Sequence, residues 1–402
     1  MINSYSLIRL IAVGTKYLSI LSIPIIFSAE DIALFSLLLA AERFISFVCS
    51  LEVHSYFNRR LIHRNYSPEF INNQHMPLFL VGIIISFAVG FLYSFQMHIF
   101  HLYIYIMIIS ICGAIQNEMV RRSQAMGNIK MFSILSALKS VCLFISIVFI
   151  VLTNNMNFVF FVSTFATVCI LMTFFSIFFY KAICMFSPRK IWIKSTDLRY
   201  LKASFLTLNK FFIQGGVVFS LALIERTLIA NNYSYEYLAS HYAIQSIALA
   251  VIILMDIFYW GPMYSKLINK LKNKNVHLKD AIKIYGLSIF GFQIFLSISF
   301  VLIVFVLSII SLDWQNIILN NISWIIFNIF LILLIPIDTF MTYFIHSKKI
   351  DIKNTLAGIF GLISMIIFYM SDFSALYIPF GLILYYVITI LFKYFSFYYK
   401  QG

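Results

Sequence analysis

The residues of this sequence best suited to bind another molecule are basic side chains that interrupt long apolar segments. If these segments cross a membrane, charges in their middle are costly, and such charges usually face a cavity or a partner. An anionic group that enters such an environment needs its charge compensated, and several converging donors do this better than one. We therefore expect four of these residues, on four different helices, to form a cationic substrate-binding chamber: Lys16, Arg43, Lys139 and Lys210.

The alternative is that each of these cations pairs with a buried acid such as Glu42 or Asp256. Glu42 directly precedes Arg43, but adjacent side chains on a helix point about 100° apart, so these two need not pair with each other. Asp338 follows Pro336, which frees a carbonyl inside a helix. An acid beside a broken helix is a candidate proton or sodium site. Glu42, Asp256 and Asp338 are therefore candidates for ion coupling, with a buried ion pair or an interface residue as the alternative for each.

The elements that must position these charges are membrane helices. Of the 402 residues, 62% are hydrophobic and only 11% are charged. Apolar runs repeatedly reach the ~20 residues that span a bilayer, and no polar domain interrupts them. The sequence therefore predicts an all-α polytopic membrane protein. The net charge of +14 would suggest a nucleic-acid partner in a soluble protein, but here it is explained by basic loops, and we expect no nucleic acid to bind.

The apolar runs predict twelve spans. These lie near residues 6–28, 32–57, 77–97, 99–119, 131–152, 157–180, 203–229, 237–262, 284–310, 317–345, 354–371 and 374–397. No small-residue cleavage site follows the first run, so we expect it to be a retained helix and not a signal peptide.

Lys and Arg are concentrated in every second connection between the predicted spans. This pattern predicts the orientation of the chain in the membrane. The basic connections include Arg59, Arg60 and Arg64, then Arg121 and Arg122, and so on to Lys393 and Lys400, whereas the six intervening connections hold no Lys or Arg. The positive-inside rule then predicts that both termini are cytoplasmic. We expect two six-helix lobes, residues 1–180 and 203–402, joined by a basic linker at 181–202. A weak internal repeat between Ala29–Phe44 and Tyr235–Ala250 favours this division.

A charged pair, Glu225 and Arg226, stands near the outer end of the seventh predicted span. So much charge at the end of an apolar run favours a gate or an interfacial ion pair, with a substrate ligand as the alternative.

The surroundings of this pair carry a recognisable pattern. Ile224–Arg226 is followed by a polar turn at Asn231–Ser234, by the acid Glu236, and by Ala239–Tyr242 at the start of the next helix. Further on, Trp260–Leu267 reads WGPMYSKL. Together these residues resemble the polysaccharide-exporter branch of the multidrug/oligosaccharidyl-lipid/polysaccharide exporter superfamily, notably the O-antigen-type (Wzx-like) flippases.

The resemblance implies a V-shaped pair of six-helix bundles whose central cavity opens alternately to each side of the membrane. It implies a flippase that carries polyprenyl-pyrophosphate-linked oligosaccharide from the inner to the outer leaflet of a bacterial inner membrane, with the four deep cations holding the pyrophosphate. Membrane lipids and polysaccharide polymerase or assembly proteins are the implied partners. No cofactor is expected, and a proton or sodium gradient would supply the energy.

Other classes of protein remain as alternatives. No catalytic residues, metal site or phosphate-binding loop stands out, so we expect no enzyme activity and no direct use of ATP. A multi-span polysaccharide polymerase or glycosyltransferase usually carries a long outer loop, whereas each predicted outer loop here is short. A multidrug exporter of the same fold would favour an acidic cavity, and a structural partner of a synthase complex would not need the deep charges.

Overall fold

The computed structural model describes residues 4–51, 68–125, 128–181, 198–232, 234–255, 278–310, 315–316, 322–344, 348–371 and 377–398. The regular structure in these residues is helical, with no strand among them.

The first half of the chain forms six α-helices and a short 3₁₀ turn, Phe100–Leu102, in its described part. The α-helices are α1 (Ser4–Ile26), α2 (Ala29–Ser50), α3 (Pro68–Gln96), α4 (Tyr103–Ala125), α5 (Ile129–Thr153) and α6 (Phe158–Lys181). Side-chain caps set several of their ends. The Asn128 side chain accepts a hydrogen bond from the Met131 amide at the start of α5, and Asn154 ends that helix in the left-handed conformation with φ of 52°.

The second half adds six more α-helices among the described residues. They are α7 (Leu198–Asn232), α8 (Tyr235–Met255), α9 (Leu278–Ile310), α10 (Ile322–Phe344), α11 (Lys348–Met370) and α12 (Phe380–Tyr398). Pro336 lies inside α10 and interrupts its hydrogen-bond ladder. Gln293 of α9 donates to the Leu333 carbonyl at 2.6 Å, in the turn before this proline. The N–H that Pro336 lacks would have served the Ile332 carbonyl, so this bond joins α9 to α10 one residue beyond the carbonyl that the proline frees.

The helices confirm an all-α membrane protein. Within the described residues, six helical segments are long and apolar enough to cross a bilayer: Ala29–Ser50, Leu78–Gln96, Phe100–Ser123, Lys130–Thr153, Phe158–Tyr180 and Phe290–Ile309. Shorter apolar helical segments lie at Leu10–Ile26, Ile322–Asp338, Asn354–Met370 and Phe380–Phe395. Each span predicted from the sequence overlaps one of the described helices. The full count of twelve spans stays a prediction.

The chain divides into two compact units. Unit 1 contains Met1–Ser19 and Leu37–Leu223, and unit 2 contains Ile20–Ser36 and Ile224–Gly402. The helices α1, α2 and α7 therefore each contribute residues to both units. The lobe boundaries drawn from the sequence stay a prediction, as does the V shape.

Large apolar side chains are exposed along several of these helices. Phe174 and Phe178 of α6 are 67% and 73% exposed, and Phe295 of α9 is 60% exposed. Such surfaces suit a hydrocarbon environment, in which apolar side chains need no burial inside the protein.

Small residues let the helices of unit 1 approach one another closely. A Cβ at Gly82 of α3 would overlap the backbone carbonyl of Cys49 in α2. The ring of Phe47 likewise packs against Gly215 and Gly216 of α7 and stacks on Phe219, with 5.0 Å between the ring centroids. The two glycines thus make room for the Phe47 ring of α2.

Candidate functional site

Three of the four predicted substrate-binding cations come together in unit 1. Lys16 of α1 interacts electrostatically with Arg43 of α2, Lys139 of α5 and Glu42, and Lys139 interacts with Arg43 and Glu42 in turn. We refer to Lys16, Arg43, Lys139 and Glu42 as the unit 1 cation cluster. Lys139 also interacts with Arg121, which lies 4.0 Å from a carboxylate oxygen of Glu118, so this second pair adds no formal net charge. The three cations of the cluster against its one carboxylate leave a formal excess of two positive charges.

The ammonium group of Lys139 is held by a neutral partner. Its Nζ donates to the Asn117 Oδ1 of α4 at 2.6 Å. An amide oxygen orients the ammonium group without cancelling its charge. Within the part of the chain that the structure describes, neither Lys16, Arg43 nor Lys139 forms an ion pair with an acid. The alternative in which each cation has its own carboxylate is therefore not seen for these three residues.

The Glu42 carboxylate lies beside Gly113 of α4 and, within the described residues, forms no ion pair with Arg43, its neighbour in the sequence. The Ser46 hydroxyl lies 3.2 Å from Glu42 Oε1 and 2.7 Å from the Ser110 carbonyl, which is the nearer acceptor for its single proton. A Cβ at Gly113 would come within 2.5 Å of Glu42 Oε1, so the absent side chain makes room for the carboxylate.

The Arg43 side chain is exposed although it lies within an apolar helix. Its guanidinium group is therefore free to meet a molecule that enters beside α2. A guanidinium presents a planar fork of donors that matches phosphate oxygens in pairs.

Two other predicted site residues cannot be placed in this arrangement. Lys210 lies within α7, but its side chain is outside the described part of the structure, and Asp256 is outside the described residues altogether. Among the described residues, no group of three or more His, Cys, Asp or Glu side chains could hold a metal ion.

The ion-coupling candidate Asp338 lies in a salt bridge in unit 2. Lys393 Nζ of α12 donates to Asp338 Oδ1 at 2.5 Å and lies 3.4 Å from the Asp338 carbonyl oxygen. Lys393 is 1% exposed. Its side chain is thus buried against α10, where it compensates the charge of Asp338, and the cytoplasmic location predicted for this end of the chain stays a prediction.

The gate candidates Glu225 and Arg226 are both buried in unit 2 and have different partners. Arg226 donates to the Ser36 carbonyl at 2.7 Å and to Gln245 Oε1 at 3.2 Å, and its guanidinium carbon lies 5.6 Å from the centre of the Tyr242 ring. Glu225 Oε1 instead lies 3.4 Å from Nε2 of His241. The two adjacent residues thus have separate partners. Arg226 contacts α2 and α8, whereas Glu225 faces His241 of α8.

The sequence analysis assigned no partner role to four side chains that bond to or face predicted site residues: Asn117, His241, Gln245 and Lys393. For Asn117 and His241, the position relative to a predicted turn in the sequence could have indicated the contact. Glu225 and His241 are equally distant from the turn near residue 233, and Asn117 and Lys139 are equally distant from the turn near residue 128. Because helices rise by the same ~1.5 Å per residue, such positions lie at matching heights in a helical hairpin.

Comparisons with known proteins show similarity at the level of the fold alone. No protein-family model matches the chain, and no curated protein matches it. A solved structure designated "protein A" matches with a TM-score of 0.67 and 14% sequence identity, covering 99% of this chain and 95% of that chain. The two proteins therefore share a fold across nearly their whole lengths.

Proposed function

We propose that this protein is a flippase that moves a polyprenyl-pyrophosphate-linked oligosaccharide from the inner to the outer leaflet of a bacterial inner membrane. The observation that carries the proposal is the unit 1 cation cluster, which has three basic residues against one acid among membrane helices. An excess of positive charge in an apolar setting calls for an anion.

The chemistry of the cluster suits a pyrophosphate. Lys16 and Lys139 supply ammonium groups, which act as compact point charges, and exposed Arg43 supplies a fork of donors for paired phosphate oxygens. Compensation by charge places few demands on the sugar, so oligosaccharides of different structure would be accepted. Lys210 would be the fourth cation in this proposal.

The proposal includes twelve spans, both termini in the cytoplasm, and a pair of six-helix lobes that alternate between inward-open and outward-open states. The apolar helices and the fold-level likeness to a solved structure are compatible with this organisation. The sign of the cluster also distinguishes the proposed substrate from the cationic compounds that a multidrug exporter would carry.

Flipping can be measured directly in proteoliposomes with a fluorescent polyprenyl-pyrophosphate oligosaccharide and a membrane-impermeant quencher. We expect Lys16→Ala, Arg43→Ala and Lys139→Ala to slow translocation at least tenfold, because each removes a positive charge from the cluster. Lys139→Arg keeps the charge and should retain more activity. Lys130→Ala is the matched control, since Lys130 is exposed at the start of the same helix. Wild-type rates in all three cluster variants would refute the role of the cluster.

The direction of transport is tested in cells that lack the protein. We expect surface polymer to be lost while complete lipid-linked repeat units accumulate in the inner leaflet. The appearance of single, unpolymerised repeats at the surface would instead identify the chain as a polymerase.

A further inference from the structure

A carboxyl group and an imidazole face each other in a buried region of unit 2. Glu225 of α7 and His241 of α8 are each 0% exposed, and Glu225 Oε1 lies 3.4 Å from His241 Nε2. Both residues are buried in helices of an otherwise apolar membrane protein. Ionisable groups in such places are expensive to maintain and are retained where they have a function.

The two groups are poorly satisfied by their neighbours. Within the described part of the chain, neither Glu225 carboxylate oxygen and neither His241 ring nitrogen has a hydrogen-bond partner. A buried polar atom without such a partner costs about 1–3 kcal/mol, and a charged one costs more. A proton between the carboxylate and the imidazole would make the pair neutral as a whole, whereas its loss would give the pair a net charge of −1.

Few charged or titratable side chains surround the pair in the described part of the chain. Arg226 is the next residue along α7 and Tyr242 the next along α8, while α2 presents Phe35, 5.9 Å from the Tyr242 ring, and the Ser36 carbonyl. The described side chains of α9 include no acid or base. The acid or base nearest to this site along α10 is Asp338, about 21 Å from the level of Trp324 and already bonded to Lys393.

Two aromatic rings of α10 lie near the imidazole. The Trp324 ring centroid lies 4.5 Å from that of His241, and the Phe327 centroid lies 6.2 Å away. The face of an indole attracts a cation, and Trp324 is the nearer of these two rings. These rings offer no oxygen ligands for a metal cation, whereas a proton needs only the ring nitrogen and the carboxylate.

We propose that Glu225 and His241 form a proton-binding site that gains and releases one proton as the protein works. Histidine is the side chain whose charge ordinarily changes between about pH 5 and 8. The site is distinct from the unit 1 cation cluster, which holds the anion in the proposed function. Its use in transport rests on that proposed function: a proton entering here would couple translocation to a proton gradient.

The position of Trp324 gives a measurement that does not depend on transport. The chain has four tryptophans, so replacing Trp192, Trp260 and Trp314 by Phe leaves Trp324 as the single reporter. A protonated imidazole quenches a neighbouring indole. We expect its fluorescence to fall through one transition as the pH is lowered from 9 to 5, with no such transition in His241→Gln.

The variant Glu225→Gln tests whether the carboxylate takes part. Without its negative charge, the imidazolium is less stable, so the midpoint of quenching should move at least one pH unit lower. Glu236→Gln is the matched control, because Glu236 is an exposed acid in the first turn of α8, and its midpoint should equal that of the parent. A flat profile in the parent, the same transition in His241→Gln, or a sodium-dependent change at constant pH would overturn the proposal.

A second measurement separates this proposal from the proposed function. In proteoliposomes, an imposed proton gradient should accelerate translocation of the labelled lipid-linked oligosaccharide several-fold in the wild type but not in Glu225→Gln or His241→Gln. Acceleration of equal size in these variants would overturn the coupling. If the wild type moves no oligosaccharide at all, the flippase proposal fails, and the fluorescence titration still decides whether the pair binds a proton.

Discussion

Units 1 and 2 both place ionisable side chains among apolar helices, but they supply different partners. In unit 1, Lys139 is bonded to the neutral amide of Asn117, and the cluster around it has an excess of positive charge. In unit 2, Lys393 is bonded to the carboxylate of Asp338. Arg226, also in unit 2, is held by a backbone carbonyl and an amide oxygen.

This difference separates a charge that stabilises the fold from a charge that remains available to a ligand. An ion pair that is already closed, such as Asp338–Lys393, can bind an outside anion only by losing its internal partner. A cation held by an amide keeps its charge while its position is fixed. The Glu225–His241 pair is a third case, because its charge depends on the number of protons it holds.

The largest effect on stability is expected for Lys393→Met. This change leaves Asp338 as a buried carboxylate without its cation, and breaking a buried pair from one side costs about 3–5 kcal/mol. The apparent melting temperature of the purified protein in detergent should therefore fall by several degrees. The double variant Asp338→Leu/Lys393→Met should recover most of the loss, because it leaves no lone charge. A double variant as unstable as the single one would show that the pair is not the source of the effect.

A strong effect on function, with little effect on stability, is expected for Asn117→Asp. The new carboxylate would lie where the amide oxygen now accepts from Lys139 at 2.6 Å. It would close an ion pair of the kind found in unit 2 and reduce the formal excess charge of the cluster from two to one. Oligosaccharide translocation should fall at least tenfold, while the melting temperature stays equal or rises.

The matched variant for this comparison is Asn117→Ala, which removes the hydrogen bond and keeps the positive charge. Its translocation rate should fall only a few-fold. If Asn117→Asp and Asn117→Ala are equally active, the free charge of Lys139 is not what the substrate requires.

Sequence alone predicts the helices of this fold well because the apolar runs that a bilayer requires are long and continuous. Helix ends are less predictable, since polar residues extend a helix beyond its apolar part. For example, α3 begins at Pro68, although the predicted span begins near residue 77, and α7 begins at Leu198 before a span predicted from residue 203.

Contacts across a helical hairpin could be anticipated from symmetry about the turn, as for Asn117 with Lys139 and for Glu225 with His241. Contacts between helices that are not consecutive leave no such local pattern. Asp338 and Lys393 lie on α10 and α12, and Arg226 reaches Ser36 across 190 residues. For that reason a loop-charge count includes Lys393 without indicating that its side chain is buried against Asp338.

The smallest effect is expected at a glycine that makes room for the one acid of the cluster. In Gly113→Ala, the new methyl group would come within 2.5 Å of Glu42 Oε1, and this flexible carboxylate would shift to avoid it. Movement of the acid alters the balance of charge around Arg43 and Lys139, so the translocation rate should change about two- to threefold.

Gly291→Ala in α9 is the control, because a Cβ there meets nothing within 4 Å. An alanine inside a helix stabilises by roughly 0.5–1 kcal/mol relative to glycine, so the control should be slightly more stable and equally active. Equal rates in both variants would mean that the position of Glu42 does not matter to the substrate and that the cations alone define the binding region of unit 1.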